Sequence, residues 1–178
     1  MKRALFLQCA LLTGNSACLE SNLDGVPEKE VLETLNAELT AYQHLAYRAH
    51  VQGHGWLNWV YDPSTAGTTG QSRRLEAIQM TTSNISNFGI CYQAAVAGYG
   101  WQLPVCNGGT AGTVGEARQM QELSIWLSPY SVSNCSVQYR AHIAHYGWQN
   151  WVSEGVSAGC SGCGIEAVEI RFVDRNCN

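Results

Sequence analysis

The 178-residue chain is poor in charge: only 13% of its residues are Asp, Glu, Lys or Arg, with 10 basic against 14 acidic side chains. No basic stripe or basic run occurs anywhere, which removes nucleic acid and other polyanions as expected partners. Long apolar runs are missing as well. The apolar stretch from Ala4 to Leu12, broken by Gln8, falls far short of the roughly 20 residues needed to span a bilayer as a helix. The chain has no Gly-x-Ser-x-Gly turn, no His-Glu-x-x-His helix and no phosphate-cradling glycine loop. An enzyme is therefore not expected, and neither is a cofactor. What the chain does have is glycine, tryptophan and tyrosine in quantity (18, 6 and 8 residues), a composition of compact, turn-rich β structure and not of a disordered chain.

The first 17 residues read as a secretory signal. Met1-Lys2-Arg3 is basic, Ala4 to Leu12 is apolar, and Thr13 to Ala17 is small and polar. Cleavage before Cys18 would leave a cysteine at the mature N-terminus, in a segment that resembles a lipobox with Asn15 where Leu is usual. Six cysteines beyond it can pair (Cys91, Cys106, Cys135, Cys160, Cys163, Cys177), so Cys18 is the odd one and a lipid attachment would satisfy it. The product is then either lipid-anchored or plainly secreted, and a lipid would be its one contact with a membrane.

Residues 18–44 form an acidic segment, with Glu20, Asp24, Glu28, Glu30, Glu33 and Glu38 set against Lys29. Leu32, Leu35, Leu39 and Tyr42 recur at helical spacing after Pro27, which predicts an amphipathic helix from Pro27 to Gln43. It would pack on the following domain or act as a spacer, with a short oligomerising helix as the alternative.

From residue 45 to 178 one phrase keeps returning. YRAHVQGHGWLNWV, from Tyr47 to Val60, comes back as YRAHIAHYGWQNWV from Tyr139 to Val152, and a looser version lies between them. Three copies emerge, at about 45–80, 90–125 and 137–170, aligned on Gly55-Trp56, Gly100-Trp101 and Gly147-Trp148. The third drops two residues after Gly162. In each copy residues of alternating polarity, such as Leu45, Tyr47, Ala49 and Val51, predict a half-buried strand. A glycine turn and a second strand from Trp56 follow, then a loop (Ala66 to Gly70), then a third strand from Leu75 to Met80. An all-β head is expected, with three copies that cannot each bury a face alone closing around a pseudo-threefold axis. A β-prism is the first expectation and a β-trefoil the second.

Tyr47 to Gln52, Gly55-Trp56, Trp59-Val60, Ala66 to Thr68, Gly70 and Arg74 to Ile78 carry a resemblance to the ChW repeat family, the clostridial hydrophobic repeat with its invariant tryptophan. The third copy carries it well and the second departs most. The resemblance implies an extracellular bacterial protein whose repeats serve surface attachment or interaction. It supplies no binding residues.

Comparison among the copies separates two sets of positions. Tyr47, Ala49, Gly55, Trp56, Val60, Gly67 and Gly70 recur in all three, as expected of a framework with glycines at turns and one large ring, the tryptophan, filling the core. Arg48, His50, Asn58, Trp59 and Glu76 reappear as Arg140, His142, Asn150, Trp151 and Glu166, whereas the middle copy has Gln93, Ala95, Leu103, Pro104 and Gln121. Two readings follow. Each set is a ligand site, with the tryptophan face under a sugar ring and the polar groups on its hydroxyls. Alternatively, Arg48–Glu76 and Arg140–Glu166 are cross-strand ion pairs with the histidines beside them. The first makes the chain a binder of carbohydrate or cell-wall glycan, the second a structural or adhesive module that contacts surface proteins. Glu76 and Glu166 sit in separate copies, too far apart in the repeat to act as a glycosidase pair.

The remaining cysteines are expected as Cys91–Cys106 across the Gly98-Tyr99 turn, Cys135–Cys177 as a clasp at the chain's end, and Cys160–Cys163 as a tight bridge or a redox pair. The Cys160-Ser161-Gly162-Cys163 spacing also suits zinc, but no second pair accompanies it, and no metal is expected.

Overall fold

In the computed structural model the described residues are Lys29, 45–83, 89–128 and 135–173. All but Lys29 belong to one compact unit, Leu39–Asn178. The expected signal sequence, Cys18, the rest of the 27–43 helix and Cys177 lie outside the described residues.

Each copy contributes five strands. Copy one has β1 (Leu45–Val51), β2 (Gly55–Trp56), β3 (Val60–Tyr61), β4 (Ala66–Gly67) and β5 (Leu75–Thr82). Copy two repeats them as β6 (Gly89–Val96), β7 (Gly100–Trp101), β8 (Val105–Cys106), β9 (Ala111–Gly112) and β10 (Met120–Ser128). Copy three does so as β11 (Val137–Ile143), β12 (Gly147–Trp148), β13 (Val152–Ser153), β14 (Ala158–Gly159) and β15 (Ile165–Phe172). The expectation of three strands per copy is corrected here. The two long outer strands are present, but the stretch from Trp56 to the glycine loop yields three two-residue strands, because Gly and Pro leave no longer run able to pair.

The long strands of a copy pair antiparallel with each other, β1 with β5, β6 with β10 and β11 with β15. The first strand of each is flanked on its other edge by that copy's second and third strands, so three five-stranded sheets result. The fifth strand of every sheet comes from another copy. β9 pairs with β5, β14 with β10, and β4 with β15, a cyclic exchange that ties copy two to copy one, copy three to copy two, and copy one to copy three. A trefoil would pair long strands of neighbouring copies into a barrel. Here each long strand stays in its own sheet and three sheets enclose one core, which is β-prism-like.

Local chemistry explains the exchange. In each copy the last strand carries a β-bulge at its start. Val51 faces Leu75 and His50 faces Ala77, so Glu76 is the extra residue; Gln121 and Glu166 hold the same place. The carbonyl of that bulge residue accepts an amide from the incoming strand: Thr113 N–H donates to Glu76 (2.9 Å), Cys160 to Gln121 (3.0 Å) and Thr68 to Glu166 (3.0 Å). The approach is so close that only glycine fits. A Cβ on Gly112 would overlap the Glu76 carbonyl and lie 2.7 Å from Ala77 Cα, and φ there is +101°.

The core is filled from one face of each long strand, with Leu45, Tyr47, Ala49 and Val51 buried as their alternation predicts. Its large rings are Tyr47, Tyr92 and Tyr139, which are fully buried. The tryptophans expected to fill the core do not: Trp56 and Trp148 are half-buried and Trp101 is 45% exposed, because they stand on the outer faces of the sheets. Each tyrosine hydroxyl instead bridges copies. Tyr92 accepts from Met80 N–H (2.8 Å), Tyr139 from Ile125 N–H (3.0 Å) and Tyr47 from Ile170 N–H (3.1 Å), each on the last strand of another copy. Each also donates to a carbonyl in its own loop, on Gly109, Val156 or Ser64. Cys91–Cys106 joins residues directly opposite in β6 and β8, as expected from the turn between them, and Cys160–Cys163 forms a local bridge. Cys135 is disulfide-bonded.

Two outcomes follow. Gly112→Ala should destabilise the fold by ~2 to 4 kcal/mol in urea unfolding, since both strain and overlap must be relieved at a buried backbone contact. Alkali should unfold the protein through its tyrosines. Burial raises the pKa of Tyr92 to about 12 and raises those of Tyr47 and Tyr139 as well. Above pH ~10 the unfolded chain loses protons that the folded chain keeps, so stability is intact below that pH and falls above it. The loss is ~1.4 kcal/mol per tyrosine per pH unit. Phenolate absorbance should therefore include a fraction that appears only together with unfolding.

Candidate functional site

The outer face of β1 presents Arg48 and His50, and the bulge at the start of β5 turns the Glu76 side chain to the same face. His50 Nδ1 lies 3.1 Å from Glu76 Oε2, close but not aligned as a hydrogen bond. The imidazole meets Trp56 edge to face, with centroids 5.4 Å apart. Trp56 in turn lies against Arg48, whose guanidinium is 4.8 Å from the Trp56 ring and 4.7 Å from the Trp59 ring, sandwiched between the two. Arg48 Nε donates to Gln79 (2.8 Å) and Arg74 Nε to Glu76 (2.9 Å).

Copy three repeats the arrangement. His142 Nδ1 is 3.1 Å from Glu166 Oε2 and 5.2 Å, ring to ring, from Trp148. Arg140 lies 4.8 Å from both Trp148 and Trp151. Here the stack is longer, because Arg171 covers Trp151 at 4.0 Å and is held by Gln138 (2.7 Å). Arg140 pairs with Glu169 at 2.7 Å, the counterpart of Gln79.

Of the residues expected to form each site, the arginine, histidine, outer tryptophan and glutamate form one connected network. Asn58 and Asn150 are exposed beside it. The expected Arg48–Glu76 and Arg140–Glu166 ion pairs are not the ones formed. Strand register puts Arg48 opposite Gln79 and Arg140 opposite Glu169, while the bulge delivers the glutamate to the histidine. Trp56 and Trp148 link the two halves of each network, a role that their recurrence in all three copies concealed. Arg171 has no counterpart in copy one, where Thr81 occupies its place, so comparison of copies could not single it out.

Copy two has no such network. Trp101 stands exposed, Leu103 is 88% exposed, and the one cation over a ring among that copy's described residues is Arg118, 4.1 Å from Tyr99.

Fold and site together define a class: a β protein of three interlocked repeats bearing tryptophan–arginine stacks on two outer faces. The family model described as clostridial hydrophobic W, ChW, matches residues 50–84 and 96–129, which places copies one and two with the ChW repeats. The match takes in copy two, expected to be the most divergent, because the framework positions survive there. Copy three, outside the match, has the same strands, bulge and exchanged strand. No curated protein and no solved structure matches the chain.

Proposed function

We propose that the chain is an exported bacterial surface protein, secreted or lipid-anchored, whose head binds carbohydrate or cell-wall glycan through the equivalent stacks of copies one and three. The family points to a surface-associated repeat protein. One observation supports a ligand role for the stacks: copy two has lost the whole network and still builds the same strands, bulge, exchanged strand and tyrosine bridge. The fold does not require the network. Its arrangement suits a sugar, since a guanidinium fixes the inner face of Trp59 and the ring remains 38% exposed, with Asn58 beside it as a planar donor and acceptor. Two weak sites on one molecule would gain by avidity on a repetitive glycan surface.

A second reading has support in copy two alone. Tyr99, Trp101 and Leu103 are exposed apolar groups of the kind that contact proteins, which fits a structural or adhesive module.

A glycan array and a peptidoglycan pull-down with the wild type and the Trp59→Ala, Trp151→Ala double variant separate the two. Binding by the wild type, lost in a variant whose urea unfolding is unchanged, is the expected result. A folded wild type that retains no glycan, or a variant that binds undiminished, removes the carbohydrate reading in favour of protein contact.

A further inference from the structure

Copies one and two cover one end of their sheets with an arginine. Arg73 Nη1 donates to the Gln52 carbonyl (3.0 Å) and Arg118 Nη1 to the Ala97 carbonyl (2.9 Å). Each guanidinium thereby lies over the adjoining glycine turn, 2.7 Å from where a Cβ on Gly53 would stand and 2.6 Å from one on Gly98. The corresponding residue of copy three is Cys163, tied back to Cys160. At the next position Arg74 and Gln119 are answered by Gly164. The backbone pairing is kept throughout: Gln52 N–H to Arg74, Ala97 to Gln119 and Ala144 to Gly164, at 3.0, 3.0 and 2.9 Å. Copy three keeps the turn and lacks both side chains that would cover it.

A hollow of about 450 Å³ opens there, lined by residues of all three copies, among them Gln52, Arg74, Gln119 and Glu166. A second hollow of about 370 Å³ shares Tyr146 and Cys163 with the first and reaches Trp148. Both volumes fall in the range of small-molecule sites. Within the polar lining Arg74 is held in place by Glu76. Arg74 Nε and Nη2 both lie 2.9 Å from Glu76 Oε1, and Nη1 has no acceptor among the described residues. Arg74 is paired with Glu76 and Glu166 adds a further carboxylate to the lining, so nothing draws in an anion.

We propose that this cleft is a single saccharide site for a neutral pyranose chain. One ring sits in the polar hollow with its vicinal hydroxyls on Arg74, the Gln52 and Gln119 amides and the Glu166 carboxylate. The next ring lies against Tyr146 and Trp148. Planar donors and acceptors beside exposed aromatic faces are the chemistry that recognises sugar rings. The arginines of copies one and two restrict the site to one per chain. It is separate from Trp59 and Trp151 and does not depend on their binding anything.

The test titrates the ¹⁵N-labelled full chain with N,N′-diacetylchitobiose and with maltose, reading the Trp148 indole and Gly164 amide signals. Saturable shifts at one equivalent with either disaccharide are expected, weakened about tenfold or more by Gly164→Leu, which fills the polar hollow. The backbone at Gly164 is open to a side chain, since a Cβ there meets only the Gln119 side chain at 3.1 Å, so the variant should fold. Gln119→Ala should weaken binding in the same direction. Absence of saturable shifts at Trp148 and Gly164 with both sugars overturns the proposal. So does binding that Gly164→Leu leaves intact, or shifts confined to Trp59 and Trp151, which would support the outer stacks alone.

Discussion

The amide that each exchanged strand donates to the bulge carbonyl of another copy is the contact on which the rest of this head depends. A repeat of this length cannot bury a sheet face by itself, and an Ala-Gly pair two residues long has no stability as a strand alone. Laid on the bulge of a neighbour, it completes that neighbour's sheet, and the neighbour's own pair completes the next. Three such steps close the cycle and leave no copy with an unfilled edge at that place. The tyrosine hydroxyls follow the same cyclic order, joining β1 to β15, β6 to β5 and β11 to β10 through buried backbone groups that would otherwise lack a partner.

Closure and surface chemistry meet at one residue. The bulge that offers its carbonyl to the incoming strand also throws its side chain outward, and in copies one and three that side chain is the glutamate beside the histidine. Only the backbone of this residue is needed for assembly, so copy two carries Gln121 there without harm to the fold. The outer faces were thus free to diverge while the inner faces stayed alike. The longer stack of copy three and the loss of its covering arginine are further departures of the same kind.

Much of this was legible in the sequence because the inner face repeats. The alternation from Leu45 to Val51 named the buried side of β1, and the recurring phrase gave three copies, an all-β class and the position of Cys91 opposite Cys106. The exchanged strands were hidden, since two residues carry no period. The bulge was hidden for the same reason, and with it the true partners of Arg48 and Arg140. Recurrence in all three copies points to tryptophan as the core ring. Volume and recurrence do not distinguish it from tyrosine, however, and the hydroxyl that reaches a neighbouring backbone is what the centre needs. Comparison of copies found Arg48, His50, Trp59 and Glu76 because copy two lost them together. It could not find Trp56, which copy two retains as Trp101 without its partners.

If the exchange and the tyrosine bridges close the three copies into one unit, no copy can open alone. Native-state hydrogen exchange of the Met80, Ile125 and Ile170 amides, the three that donate to tyrosine hydroxyls, tests this directly. The account predicts that all three exchange with one free energy, equal to that of global unfolding, and respond to urea with the same slope. An amide that exchanges through a smaller opening than the other two would show a copy detaching by itself and would contradict the closed cycle.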